Sequence, residues 1–240
     1  MNNLIHWPRA KYWDEAWNPV IGCKPCSPAC ENCYAAAWAK RFGQSFEPHE
    51  TKQKPPRKGV VFCGNMTDLF GEWVRPIDSM YFITCAENGN EFDFDVTYLW
   101  LTKRVEEMSW TLSNMPRVRS NHYFGFTAEN QEWFDNRARF TRDFPAWANM
   151  WLSAEPLLGS LAIGSLLNNL KWVVVGSESG SNRRPCKIEW VESIVEQCKA
   201  AGVPVFVKQL DIGGKCETDI NKFPDHLRIR QVPWTEGGAT

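Results

Sequence analysis

Short apolar runs alternate with stretches of helical composition along most of the chain. Gly59 to Gly64, Val96 to Thr102, His122 to Thr127, Trp151 to Ala154, Trp172 to Gly176 and Val203 to Val207 read as strands. They are apolar at nearly every position, the pattern of a sheet covered on both faces. Ahead of them the run Trp17 to Gly22 supplies a further, first strand. Helices are expected over about Ile77 to Glu87, after Lys103-Arg104 and around Trp133-Phe134. Strand alternating with helix this often argues for parallel βαβ units with right-handed crossovers. Tyr34 to Phe42 is built from good helix formers and is stopped by Gly43.

The remaining segments are polar or irregular. Residues 44–58 carry Lys52, Lys54, Arg57 and Lys58 among prolines and read as an exposed loop over the site, solvated or facing phosphates. Residues 211–240 read as an irregular tail, turned at Gly213-Gly214 and packed on the rim or open end of the barrel. With no repeat or linker in view, residues 1–240 form one domain, of which residues 1–22 are a lead-in.

Polar residues fall at one end of the strands. Asn65, Asp68, Lys103, Glu129, Glu155, Glu178, Lys208 and Gln209 all follow the C-terminal ends of expected strands, and in a parallel barrel those ends line the mouth where chemistry is done. The fold class expected is therefore α/β, a full or partial parallel (β/α) barrel of about six to seven strands. Each such residue has a plainer alternative, since a polar residue at a strand end often caps the next helix. The loop from Gly176 to Pro185 is equally two-sided: its glycines and serines suit an anion nest with Arg183 and Arg184, or an ordinary strand-to-helix connection.

The chemistry concentrates in Gly22 to Tyr34, which holds four of the nine cysteines in the spacing C-x2-C-x3-C-x2-C. Cys26, Cys30 and Cys33 give C-x3-C-x2-C, and Cys23, Cys30 and Cys33 give C-x6-C-x2-C. Three thiolates on a [4Fe–4S] cube leave one iron open to a small molecule. Four would suit a structural zinc, and reduced thiols with no metal are the third possibility. Cys33 directly precedes the expected helix, whose N-terminal partial charge favours a thiolate.

Composition narrows the setting. A formal charge of -1 and 43 % hydrophobic residues give no general pull toward nucleic acid or membrane. The start lacks a signal-like apolar run and no stretch suits a membrane span, so the reading is cytoplasmic. Reduced thiols in that compartment favour metal over disulfides. Cys63, Cys85, Cys186, Cys198 and Cys216 are scattered and read as small apolar side chains. Of the 13 tryptophans, most are expected in the core or a pocket wall, and exposed ones would suit stacking on bases.

The cysteine loop after the first strand resembles the radical S-adenosylmethionine (SAM) superfamily. More closely, the chain is similar to a phage and prophage family of three-cysteine-motif proteins of unknown function. The similarity runs through Trp17-Asn18-Pro19, Gly22-Cys23, Ser27-Pro28, Cys30-Glu31-Asn32-Cys33-Tyr34, Asp68-Leu69-Phe70, Leu101 to Arg104, Ala128-Glu129-Asn130, Glu155 to Gly159, Glu178-Ser179-Gly180 and Lys208-Gln209. The resemblance implies a [4Fe–4S] cluster on Cys23, Cys30 and Cys33, with Cys26 as the alternative first ligand. Asn32 stands where the superfamily commonly has an aromatic residue. SAM would bind the open iron and be cleaved to a 5′-deoxyadenosyl radical. Gly64, Asn65, Met66, Asp68, Glu155, Ser177 and Glu178 are then candidates for SAM, and Lys103, Glu155 and Glu178 for catalysis. Glu129, Asn130, Arg183, Arg184, Lys208 and Gln209 are candidates for the substrate.

The function this implies is a radical SAM enzyme modifying a nucleic-acid base, nucleotide or other phosphorylated substrate, phage DNA hypermodification included. Its partners would be DNA, RNA or a nucleotide and a reductase or flavodoxin-like electron donor, in the host cytoplasm if phage-encoded. A non-catalytic iron–sulfur or zinc protein that binds nucleic acid or a protein is the alternative. A metal-free barrel enzyme of another chemistry is the third.

Overall fold

A computed structural model describes residues 5–7, 9–88 and 96–234. Its centre is a sheet of β1 (Glu15–Trp17), β2 (Gly59–Cys63), β3 (Val96–Thr102), β4 (His122–Thr127), β5 (Asn149–Ala154), β6 (Leu170–Gly176), β7 (Val205–Ile212) and β8 (Lys215–Glu217), hydrogen-bonded in that order. The first seven run parallel, and β8 folds back antiparallel on β7. The sheet curls as a half-barrel with β1 and β8 at its edges, so the partial form of the expected barrel is the one found. Helices α1 (Tyr34–Arg41), α2 (Pro76–Glu87), α3 (Val105–Ser113), α4 (Gln131–Ala138) and α5 (Ile188–Ala201) flank it. Among these residues no helix is long and apolar enough to cross a membrane.

Period-two alternation sorts the side chains between two faces. Outward residues such as Val61, Tyr98, Phe124, Leu152, Val173 and Val207 join two clusters under the helices. Inward residues Phe62, Leu99, Tyr123, Trp151, Trp172, Val174 and Phe206 form a third, aromatic cluster with Trp7, Tyr12 and Trp234. Gly125 of β4 makes room for it: a Cβ there would run into the indole of Trp151, whose Nε1 lies 3.2 Å from the Trp100 carbonyl it donates to. Edge-to-face pairs such as Tyr12 with Trp172, 5.1 Å between centroids, have the geometry that aromatic quadrupoles favour.

Three expectations change. The first sheet strand is Glu15–Trp17 rather than Trp17 to Gly22, so the lead-in supplies a strand. Pro19 cannot donate to a ladder, and beyond it Val20–Ile21 pairs instead with His49–Glu50. Gly22, at φ 97°, closes that crossing, because a Cβ there would collide with the Glu47 carbonyl. The tail is ordered as far as Trp234, residues 235–240 lying outside the described residues: β8 extends the sheet, Gln231–Val232 pairs with Ile5–His6, and Trp234 stacks edge-on to Trp172 at 4.9 Å, away from the strand ends that carry the polar residues. Residues 44–58 are tied down beside the sheet: Gln53 accepts from Trp17 Nε1 at 3.1 Å, and Arg57 donates to the Ala86 and Cys85 carbonyls at 2.9 Å. Of that stretch only Phe46 lines the cavity described below, so Arg57 is held by the backbone rather than offered to phosphate.

A buried titratable cluster gives the fold a pH dependence. His122 is buried, its Nδ1 accepts from Trp100 Nε1 at 3.2 Å, and its Nε2 lies 3.3 Å from Glu87 Oε2. An Nδ1 that accepts is unprotonated, so the ring is neutral, and burial lowers its pKa with Glu87 restoring only part. Burial would raise the Glu87 carboxyl, but His122 and Arg119 hold it below its ordinary value. With His122 lowered from 6.5, the unfolded chain binds the extra proton first, so stability is complete above that value and falls as pH drops through it. The urea midpoint is expected to fall between about pH 7 and pH 5, and His122→Gln to flatten the curve in that window.

Candidate functional site

The alternation that fills the interior also builds the mouth. The inward register of Leu99 and Leu101 reaches Lys103, that of Trp151 and Ser153 reaches Glu155, and that of Phe206 reaches Lys208. Together with the cysteine loop these strand ends enclose an open cavity of about 210 Å³. All four loop cysteines line it, with Gly64, Asn65, Met66, Asp68, Lys103, Glu155, Ser177, Glu178, Lys208 and Gln209 among the expected residues and Tyr12, Trp13, Tyr34 and Phe62 as an aromatic side.

The loop is pinned from both ends. Gly22 donates to the Met66 carbonyl at 3.1 Å and accepts from Thr67 Oγ1 at 2.6 Å, and Cys23 N donates to the Phe46 carbonyl at 3.2 Å. Pro28–Cys30 is a single 3-10 turn. Cys33 is the N-cap residue of α1, as its place before the helix implied.

The four thiols are half-buried and free. The neighbouring Cys26 thiol, against burial and helped by Lys103, holds the Cys30 thiol below its ordinary value, while Cys26 is pushed up. Burial and then the Asp68 charge push Cys23 up to about 12. Among the described residues no group of three or more His, Cys, Asp or Glu side chains is set to hold a metal ion. Four soft sulfur donors around one cavity still form a donor set whose chemistry fits a metal, and a cube attaches each thiolate to a different iron, so its ligands stand apart.

Several of the expected ligand residues also fasten the protein internally. Asp68 accepts from Phe70 N at 3.1 Å, Thr102 Oγ1 at 2.7 Å, Lys103 N at 3.0 Å and Arg104 Nη1 at 3.2 Å. Arg104 passes this anchorage on, donating to the Lys24 carbonyl at 3.0 Å and to Glu72 at 3.1 Å. Glu178 accepts from Asn32 Nδ2 at 2.9 Å and from Arg184 N at 2.8 Å and Nε at 3.0 Å, and forms an ion pair with Arg184 Nη2. Arg184 in turn reaches the Pro28 carbonyl at 2.9 Å and Glu31 at 3.1 Å. Burial would raise the Glu178 carboxyl, but these donors hold it below its ordinary value. Glu178 and Arg184 therefore clamp the cysteine loop through Asn32, Pro28 and Glu31.

Other candidates separate in the same way. Glu129 is fully buried and pairs with Arg137 at 2.6 Å, and neither lines the cavity. Asn130 caps α4, accepting from Trp133 N at 3.1 Å. Arg183 stands outside the cavity. Gly64 has φ 78°, and a Cβ there would meet Leu69 at 2.9 Å, so its missing side chain serves the turn and the packing beneath it. Asn65 accepts from Asn18 at 2.8 Å through its side chain and from the Tyr34 hydroxyl through its carbonyl. Ser177 donates to Cys216 Sγ at 3.9 Å, and Gln209 donates to the Ser177 carbonyl at 2.6 Å.

What remains directed at the cavity is compact. Lys208 Nζ is 2.8 Å from Glu155 Oε1, and Glu155 Oε2 accepts from Tyr12 at 3.2 Å and Ser153 at 3.3 Å. Lys103 lines the cavity near Cys30, and among the described residues its ammonium has no hydrogen-bond partner. Tyr12 went unread in the sequence, and Trp13 was read only as one of the tryptophans expected in the core or a pocket wall, since aromatics in a lead-in carry no signal of which face they will occupy.

The profile of one family, described as a protein of unknown function (DUF5131), matches residues 8–228. The chain belongs to DUF5131. The DUF5131 match runs from the cysteine loop through every strand end of the mouth, so loop, half-barrel and cavity fall within one family unit. No curated protein and no solved structure matches the chain.

Proposed function

We propose that this DUF5131 protein is an iron–sulfur, SAM-dependent radical enzyme of the cytoplasm, modifying a nucleic-acid base, nucleotide or other phosphorylated substrate. The reading includes a radical SAM kinship, a phage setting and a reductase or flavodoxin-like electron donor. One observation carries it: a loop with both three-thiolate spacings follows the first strand of a parallel half-barrel and opens into the same cavity as Lys103, Glu155 and Lys208.

On this reading Cys23, Cys30 and Cys33 hold a [4Fe–4S] cluster, with Cys26 as the alternative first ligand. When bound, the cluster supplies the electron for cleaving SAM to methionine and a 5′-deoxyadenosyl radical. Lys103, beside Cys30 and with no partner for its ammonium among the described residues, is placed for a carboxylate or phosphate. Glu155, already neutralised by Lys208, accepts from ligand hydroxyl or amino groups, while Tyr12 and Ser153 keep its orientation. Asp68, Glu178 and Arg184 hold the loop in place.

The test is iron retention in four single variants purified without oxygen. Cys30→Ala and Cys33→Ala are expected to lose the cluster, as is Cys23→Ala, while Cys26→Ala keeps it. A reversed result for Cys23 and Cys26 exchanges the first ligand. Zinc in the parent protein, lost in all four variants, contradicts the proposal.

A further inference from the structure

Helix α1 leaves the cysteine loop with a face that nothing among the described residues covers. Tyr34, Trp38 and Phe42 recur every four residues and so share that face, and they are 55 %, 46 % and 56 % exposed. The adjoining face buries Ala35 and Ala39 against the protein. Trp38 and Phe42 lie 4.8 Å apart between centroids, and the Arg41 guanidinium sits 5.8 Å over Phe42 with Lys40 exposed beside it.

This stripe leads into the cavity. Tyr34 lines the mouth and anchors its hydroxyl on the Asn65 carbonyl. On the cavity wall Trp13 stands 5.0 Å from Phe62 and 4.8 Å from Tyr12, with Lys208 Nζ 5.7 Å over its ring. Flat apolar surfaces outside and inside, each with a cation over an aromatic ring, are what successive bases and their phosphates need. The wall also carries a carboxylate and an ammonium, Glu155 and Lys208, able to meet the polar edge of one base.

We propose that this surface binds single-stranded nucleic acid, with flanking bases stacked on Trp38 and Phe42 and one base seated against Trp13 inside the cavity. Duplex does not fit, because a paired base is stacked and cannot enter a cavity. The inference deepens the proposed function by naming its substrate class, but stacking requires neither cluster nor SAM, so the two can fail separately.

The experiment is fluorescence anisotropy of labelled 12-nucleotide single strands, DNA and RNA, and of the same sequence as duplex, with the full chain and no SAM or reductant. The single strand is expected to bind, with duplex at least about tenfold weaker. Each of Trp38→Ala, Phe42→Ala and Trp13→Ala should weaken single-strand binding about tenfold. The Trp38 and Phe42 rings are half-exposed, so circular dichroism should report an intact fold for those two variants. The Lys40→Gln/Arg41→Gln double variant should flatten the salt dependence. Absent binding, equal affinity for duplex, or unchanged binding by folded Trp38→Ala and Phe42→Ala variants overturns the proposal. So does loss of flavodoxin binding in those variants with oligonucleotide binding intact, which would assign the face to the electron donor.

Discussion

Asp68→Ala is expected to destabilise the protein by about 3–5 kcal/mol, the scale for removing one partner of a buried charge pair. Asp68 is 6 % exposed and accepts four hydrogen bonds. Its loss leaves Thr102 Oγ1 and two backbone N–H groups without their acceptor and the half-buried Arg104 without its buried anion, Glu72 being largely solvent-exposed. The damage should travel, because Arg104 also holds the Lys24 carbonyl. Chemical denaturation should show the lowered midpoint, and alkylation should find the loop cysteines more reactive in the still-folded variant. A loss under about 1 kcal/mol with unchanged thiol reactivity would mean that Asp68 does not organise the loop.

Glu178→Ala is expected to free the other side of the loop. Arg184 would lose its side-chain and backbone contacts to the carboxylate, and Asn32 would keep only the Asn182 carbonyl at 2.9 Å. Hydrogen bonds to charged groups contribute about 1.5–3 kcal/mol each and are not additive, so the expected destabilisation is about 2 kcal/mol. A double-mutant cycle with Arg184→Ala should return a coupling of at least about 1 kcal/mol. Arg183→Ala, one residue away and outside the cavity, should leave both stability and thiol reactivity as they were. Equal effects of Arg183→Ala and Arg184→Ala would remove the clamp from the description.

The strands were legible where burial on both faces left continuous apolar runs. Val96–Thr102 and His122–Thr127 are found at the bounds expected from sequence. Legibility failed where pairing rather than composition decides the element. Glu15–Trp17 has one charged and one small residue and becomes a strand only because β2 is beside it, and Lys215–Glu217 exists only as the return of a Gly213-Gly214 turn. The mouth was legible in outline, because inward alternation carries Lys103, Glu155 and Lys208 to one place. The tasks of Asp68, Glu178 and Arg184 were not, because a carboxylate at a strand end reads alike whether its partner is a ligand or a distant arginine. Glu129 shows the limit most clearly: its partner Arg137 is in the last turn of the next helix, and burial of both followed only from the packing of α4.

The most direct test is to purify the protein without oxygen, determine iron, sulfide and zinc, then add dithionite and SAM and measure 5′-deoxyadenosine. About four irons per chain with matching sulfide, and 5′-deoxyadenosine formed by the parent protein but not by Cys30→Ala, are expected. Zinc in place of iron, or a full cluster with no SAM cleavage, would contradict the radical enzyme and leave a metal-stabilised binding protein.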